Sequence, residues 1–242
     1  MTETDAALQA VVDTHLPRGV PLRVLEAGCG STSHLCLRDG CRLVGIDISA
    51  RQLERNARLD EKVEADLQVH AWQPEEFDMV VCWDVLEHLP NPNAALARMF
   101  DAVKRGGLLL LAMPNRGSLK GLVTRMTPFG FHAWFYRHVI GDKRPSRDLD
   151  QFPTYLRKEM APKWIVNAAT GSGFSLVFSK FYEGPVQLHM RSHHRLADAA
   201  FATVGTVGRI LTFGAYDPTL SDCILLFRKS DMSVKPRKAK SE

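Results

Sequence analysis

Apolar positions along the chain alternate between two rhythms. Short runs at 22–25, 41–48, 63–67, 77–83 and 108–113 read as buried strands. Between them the spacing is helical. Leu8, Val11, Val12 and Leu16 share one face of a helix over 4–16. Ser49 can cap a helix reaching to about Arg58. Asn91 to Lys104 reads as a helix with Pro92 at its start and Gly106-Gly107 after its end. Strands alternating with helices predict a parallel sheet with right-handed crossovers. Further on, Pro162 to Ala169 is a short helix, and Ser175–Phe181 and Ser221–Arg228 are strands. Between those strands Leu196, Ala199, Ala200, Thr203, Val204, Val207, Ile210 and Leu211 fall on one helical face. Core packing is the expected use of that face; a second copy of the chain or a membrane surface are its other readings. The first helix is expected to pack against the sheet edge, with a lid over the ligand site as the alternative.

The first strand runs into Glu26-Ala27-Gly28-Cys29-Gly30, an acid followed by a glycine-rich turn. Such a turn lets a ligand approach the backbone closely. Asp47 ends the second strand, at the distance that suits an acid bonding a ribose. In a parallel sheet ligands bind beyond the C-terminal strand ends, where Glu26, Asp47, Asp66 and Trp83 all fall. A dinucleotide would call for G-x-G-x-x-G, but Ser31, Thr32 and Ser33 follow Gly30. Glu26 is also a poor neighbour for pyrophosphate. It suits a ligand with an ammonium and a sulfonium, and S-adenosylmethionine carries both without phosphate.

Five blocks then resemble one family in order: Glu26 to Gly30, Gly45 to Ser49, Phe77 to Cys82 with Leu86-Glu87-His88-Leu89, Lys104 to Gly107, and Pro114-Asn115. They are similar to class I S-adenosylmethionine-dependent methyltransferases, nearest the branch of quinone-biosynthesis and other small-molecule O-methyltransferases. Thr32 stands where many members have a third glycine. The resemblance implies a Rossmann-like α/β fold: a seven-stranded, mostly parallel sheet with helices on both faces, its last strand antiparallel, plus an inserted cap. It implies cofactor contacts at Glu26, Gly28, Cys29, Gly30, Asp47 and Ile48. Asp66 would reach the adenine amino group, with Leu67 flanking the ring, and Trp83 would border the site. An ordinary turn acid is the other reading of Asp66.

Chemistry would sit after the fourth strand, in Asp84-Val85-Leu86-Glu87-His88. Positions 84, 87 and 88 share a face on a helical turn. They could ligate Mg or another divalent cation, with His132 as a later ligand, as in some O-methyltransferases of that branch. Asp84 and Glu87 also fit a capping box with no metal, the more ordinary use. His88 and His132 are the candidate catalytic bases.

Residues 115–155 are rich in aromatics and bases and read as a cap over the acceptor, one with an apolar and an anionic part. A second insertion spans about 184–218 of a single domain over 1–230, and 231–242 reads as a disordered basic tail. Hydrophobic residues are 45% of the 242, enough for a real core. No apolar run is long enough to span a bilayer, and the first ten residues do not read as a signal peptide. Five scattered cysteines fit a reduced, cytoplasmic setting, peripheral to a membrane if that surface is used. A net charge of +4 is too mild to argue nucleic acid. Methyl transfer to a small-molecule hydroxyl on a lipid-linked, glycosidic, quinone-like or natural-product acceptor is the leading function. Transfer to nitrogen or carbon, or a non-catalytic cofactor-binding role, are the alternatives, and a homodimer stays open.

Overall fold

The structure, a computed structural model, describes residues 3–33, 40–127 and 154–231. Seven strands form one sheet: β1 (Leu22–Ala27), β2 (Cys41–Asp47), β3 (Glu61–Glu64), β4 (Phe77–Trp83), β5 (Val103–Pro114), β6 (Phe174–Tyr182) and β7 (Asp222–Lys229). Their order is β3-β2-β1-β4-β5-β7-β6. β3 to β5 pair in parallel, and β7 runs antiparallel to both β5 and β6. The expected Rossmann-like sheet with its antiparallel last strand is therefore present. The order reverses between β1 and β4, and the cleft at that switch lies beyond Ala27 and Trp83.

Alternate side chains of each central strand serve opposite faces. Val80, Cys82, Leu109, Leu111, Leu225 and Phe227 join one buried cluster. It is covered by α3 (Pro92–Ala102) and α5 (Pro162–Gly171), through Leu96, Met99, Ile165 and Ala169. Met79, Val81, Leu108, Leu110, Ile224 and Leu226 join the other, with Leu8, Val12 and Leu16 of α1 (Glu3–His15) and its end. That helix packs on the sheet beside β5 and the β6 edge.

Several boundaries move from the sequence expectation. α2 (Ala50–Arg55) is capped by Ser49, which accepts from the Gln52 amide, but stops short of Arg58. Asn56 turns its side chain inward, where it accepts from the Arg58 amide at 3.2 Å. α3 ends at Ala102, and β5 absorbs Gly106 and Gly107. The ladder to β4 jumps between Phe77↔Val103 and Met79↔Leu108. A Cβ on Gly107 would meet the Asp78 carbonyl oxygen at 2.8 Å, so the glycine pair belongs to a bulge rather than to a helix end. β3 ends at Glu64, leaving Asp66 in the following loop.

α4 (Leu119–Met126) opens the cap segment. The rest of that segment within 128–153, including His132, and the tail beyond Asp231 lie outside the described residues. The second insertion folds as two helices, α6 (Pro185–His193) and α7 (Arg195–Leu211). Core packing of the α7 apolar face is not what the structure shows. Leu196 is 88% exposed, Ile210 68% and Leu211 74%. α7 seats its small-residue side instead: Gly205 is buried, and a Cβ on Gly208 would strike the Pro218 ring at 2.3 Å. An ion pair from Arg209 to Asp217 holds the next loop. Replacing Ile210 and Leu211 by lysine is accordingly expected to shift stability by less than about 0.5 kcal/mol per site, measured by denaturant unfolding. A loss of several kcal/mol would restore the core reading.

Candidate active site

The glycine loop that follows β1 is held by backbone. The amides of Gly28 and Cys29 both donate to the Ile46 carbonyl, at 2.8 and 3.1 Å. Asp47 clamps the loop with both oxygens, accepting from the Gly30 amide and the Ser49 amide, each at 2.9 Å. Glu26 is buried, and its Oε2 accepts from the Ser33 hydroxyl at 2.6 Å. Sequence reasoning missed this role of Ser33, whose only signal is a hydroxyl a few residues beyond a strand-end acid. Gly28 sits at φ +71°, and a Cβ there would lie 2.4 Å from a Val85 methyl. So the turn after β4 abuts the glycine loop with no room for a side chain. Ile48 stands 61% exposed beside Asp47, an apolar surface open at the cleft. The Cys29 thiol packs in the core, and burial, then Asp47 and Glu26, push its pKa up to about 12. It is a packing residue rather than a nucleophile.

These features fit S-adenosylmethionine. A buried carboxylate at the strand end suits an ammonium, Asp47 keeps lone pairs beyond its two backbone bonds, and Ile48 offers a face to a ring. Asp66 serves its own turn, accepting from the Gln68 amide at 2.8 Å and from the Gln68 side chain. Leu67 is buried in the core, and Trp83 packs half-buried against the opposite cluster.

The turn after β4 departs from the sequence reading. Leu86–His88 is a single 3₁₀ turn whose cap residue is Val85, with no side-chain cap. The capping box of Asp84 and Glu87 is not formed, because Asp84 lies outside the turn at φ +52°. Asp84 is exposed at its surface yet has protein crowded around its carboxylate. That enclosure, and then the Asp222 carboxylate, push its pKa up to about 6, with Lys120 opposing. Glu87 is buried, 4% exposed, and its Oε2 has no hydrogen-bond partner. Burial first, and Asp84 next, raise its pKa well above the ordinary carboxylate value. His88 is partly exposed, its Nε2 3.9 Å from Glu87 Oε1.

Asp222, at the start of β7, completes this acidic cluster. It accepts from the Ser221 hydroxyl at 2.5 Å and faces Lys120 Nζ at 3.4 Å. Nothing in the sequence marks it, since 138 residues separate it from Asp84 and only the β5–β7 pairing brings them together. No group of three or more His, Cys, Asp or Glu side chains gathers as a metal site among the described residues. Asp84, Glu87 and His88 are therefore not gathered as a metal site among the described residues, and His132, the fourth ligand expected for a divalent cation, lies outside them. Within the turn Glu87 is buried and Asp84 is exposed.

Known proteins place the fold. Residues 3–158 match a family model described as a methyltransferase domain. The ubiquinone biosynthesis O-methyltransferase of Xanthomonas euvesicatoria pv. vesicatoria (strain 85-10) is 34% identical over 160 residues, which are 60% of this chain and 61% of that protein. The protein of the same description from Xylella fastidiosa (strain 9a5c) is 30% identical over 149 residues, 53% of this chain and 61% of its own length. The chain thus spans about three fifths of these curated relatives. Among solved structures, phosphoethanolamine N-methyltransferase 2 of Haemonchus contortus, bound to S-adenosyl-L-methionine, is 17% identical with a TM-score of 0.55, over 93% of this chain and 52% of that one. The [4+2]-cyclase SpnF is 16% identical with a TM-score of 0.52, over 93% and 80%. At such identities the two structures speak for the fold alone. With a family model covering well over half its length, and a glycine loop and acid pair that fit the cofactor, the chain belongs to the class I S-adenosylmethionine-dependent methyltransferases.

Proposed function

We propose that this chain transfers a methyl group from S-adenosylmethionine to a hydroxyl of a small, partly apolar acceptor such as a quinone-like or lipid-linked phenol. The observation that carries this reading is the exposed Asp84, whose chain neighbour Val85 packs against Gly28 of the cofactor loop. S-adenosylmethionine supplies a methyl already activated for displacement, so the protein mainly positions the acceptor and takes its proton. Glu26 holds the cofactor's ammonium, Asp47 its ribose, Ile48 one face of its adenine, and Gly28, Cys29 and Gly30 line its approach. Asp66, Leu67 and Trp83 border the adenine side.

Asp84, with a pKa of about 6, is mostly ionised at neutral pH and is suited to accept a phenolic proton. His88 is the second group in reach of that role. His132 keeps its candidacy as a base carried by the cap. Asp84→Asn should lower turnover by at least about 100-fold while leaving cofactor affinity within about twofold. The test supplies methyl-labelled S-adenosylmethionine with an isoprenyl hydroquinone and, in parallel, a primary amine. Label in an aryl ether is expected; label on the amine alone would overturn the oxygen reading.

The outward apolar face of α7, with Arg195 at its start and Phe213 fully exposed beyond its end, supports peripheral contact with an anionic membrane that holds such an acceptor. This would be a cytoplasmic protein meeting its substrate at the bilayer. No described helix is long and apolar enough to cross one. Co-sedimentation with phosphatidylglycerol vesicles, lost in Ile210→Lys/Leu211→Lys, is the expected result. A protein that stays in the supernatant would exclude this membrane contact.

A further inference from the structure

A concavity opens beside the turn after β4. It has a volume of about 650 Å³ and is walled by the start of α3, by α4 and by residues 154–159. That size suits a small molecule or a substantial part of one. Its wall is tied to the reaction turn, because the Tyr155 amide donates to the Glu87 carbonyl at 2.7 Å.

The lining is strongly cationic. Arg116, Arg125, Arg157 and Lys158 all border it, against the single carboxylate of Glu159. Among the described residues Arg116 donates its Nε proton to the Leu156 carbonyl at 2.9 Å, and Arg125 its Nε proton to the Gly121 carbonyl at 3.3 Å. Arg157 lies over the Tyr155 ring at 5.5 Å. Among the described residues none of these cations has an ion-pair partner. Arg116 is held below the usual guanidinium range, by partial burial first and by Arg125 next, with Glu159 acting in the opposite sense. Two arginines thus crowd each other over the cavity, with Glu159 the one carboxylate among the described residues of its lining. The α3 N-terminus, at Asn91 and Pro92, points the positive end of its dipole to the same space.

We propose that this cavity is a subsite for an anionic group, a phosphate or a carboxylate, on the methyl acceptor. The proposal rests on the methyl-transfer reading and sharpens it: the acceptor carries an anion next to the hydroxyl-bearing part that reaches Asp84. Planar guanidinium forks take either oxyanion in a bidentate grip.

The test is calorimetric titration of the intact protein with inorganic phosphate and, separately, with benzoate, at low ionic strength. At least one should bind saturably at one site. Arg116→Gln/Arg125→Gln should weaken that binding at least tenfold, and so should Arg157→Gln/Lys158→Gln, whose side chains are exposed and whose loss spares folding. Affinity for S-adenosylmethionine should stay within twofold in both variants. A preference for phosphate would mean a phosphorylated acceptor, and a preference for benzoate an aromatic carboxylate. Absence of saturable binding by the wild-type protein, or equal binding by both variants, would overturn the subsite. Since the readout is anion binding, it stands or falls separately from methyl transfer.

Discussion

Gly28→Ala lowers the affinity for S-adenosylmethionine by at least about 30-fold. Gly28 has φ +71°, where a β-carbon costs about 1–2 kcal/mol. That carbon would also sit 2.4 and 2.6 Å from the two Val85 methyls. Forcing extra volume into a packed contact costs about 1–3 kcal/mol more. The sum, about 2–5 kcal/mol, corresponds to roughly 30-fold at the low end. It falls on the loop whose amides meet the Ile46 carbonyl and whose Gly30 amide meets Asp47. Adding Val85→Ala to Gly28→Ala should recover the steric part and leave the φ part, about tenfold. Isothermal titration of both variants separates the two. Undiminished affinity in Gly28→Ala would mean that the turn after β4 does not press on the cofactor loop.

The second large effect concerns pH. Glu87 is buried with its pKa raised, so the folded protein keeps its proton at pH values where the unfolded chain, near 4.5, has released it. The folded state then binds more protons, and stability falls as pH rises. This contribution is full below about pH 4.5, and it is lost progressively as pH climbs towards the raised folded value. Asp84, ionising near 6, adds its charge beside Glu87 within that window. Glu87→Gln has no such proton to release. Between pH 5 and pH 8 the melting temperature of the wild-type protein should therefore fall relative to Glu87→Gln, by at least about 3 °C. Each pH unit between a group's folded and unfolded pKa values is worth about 1.4 kcal/mol, and 1 kcal/mol moves the melting temperature by about 2–4 °C at this size. Melting curves that stay parallel across that range would show that Glu87 titrates like an exposed acid.

Legibility in the sequence followed how local each signal was. β4 matches the expected 77–83 because an unbroken apolar run is buried on both faces by helices. The meeting of Glu26, Gly28 and Asp47 around one loop was legible because strand ends and a glycine turn are short-range patterns. Gly106 and Gly107 misled, since a glycine pair after a helix marks a cap in most sequences but here allows close backbone contact in a bulge. The α7 stripe carried its periodicity plainly. Periodicity tells which residues share a face, not which way the face points, and the small residues on the other side decided that. Asp222 and Lys120 were illegible, because their nearness depends on strand pairing across the chain. The cationic cavity likewise joins residues 91, 116, 125 and 157 from separate elements.

Methyl transfer itself is the decisive readout. Purified protein is incubated with methyl-labelled S-adenosylmethionine and a cell extract, with Asp47→Ala alongside. Label entering the organic phase with the wild-type protein, and at least tenfold less with Asp47→Ala, is the predicted result. Measurable cofactor binding with no label in any fraction, or equal labelling by Asp47→Ala, would contradict it.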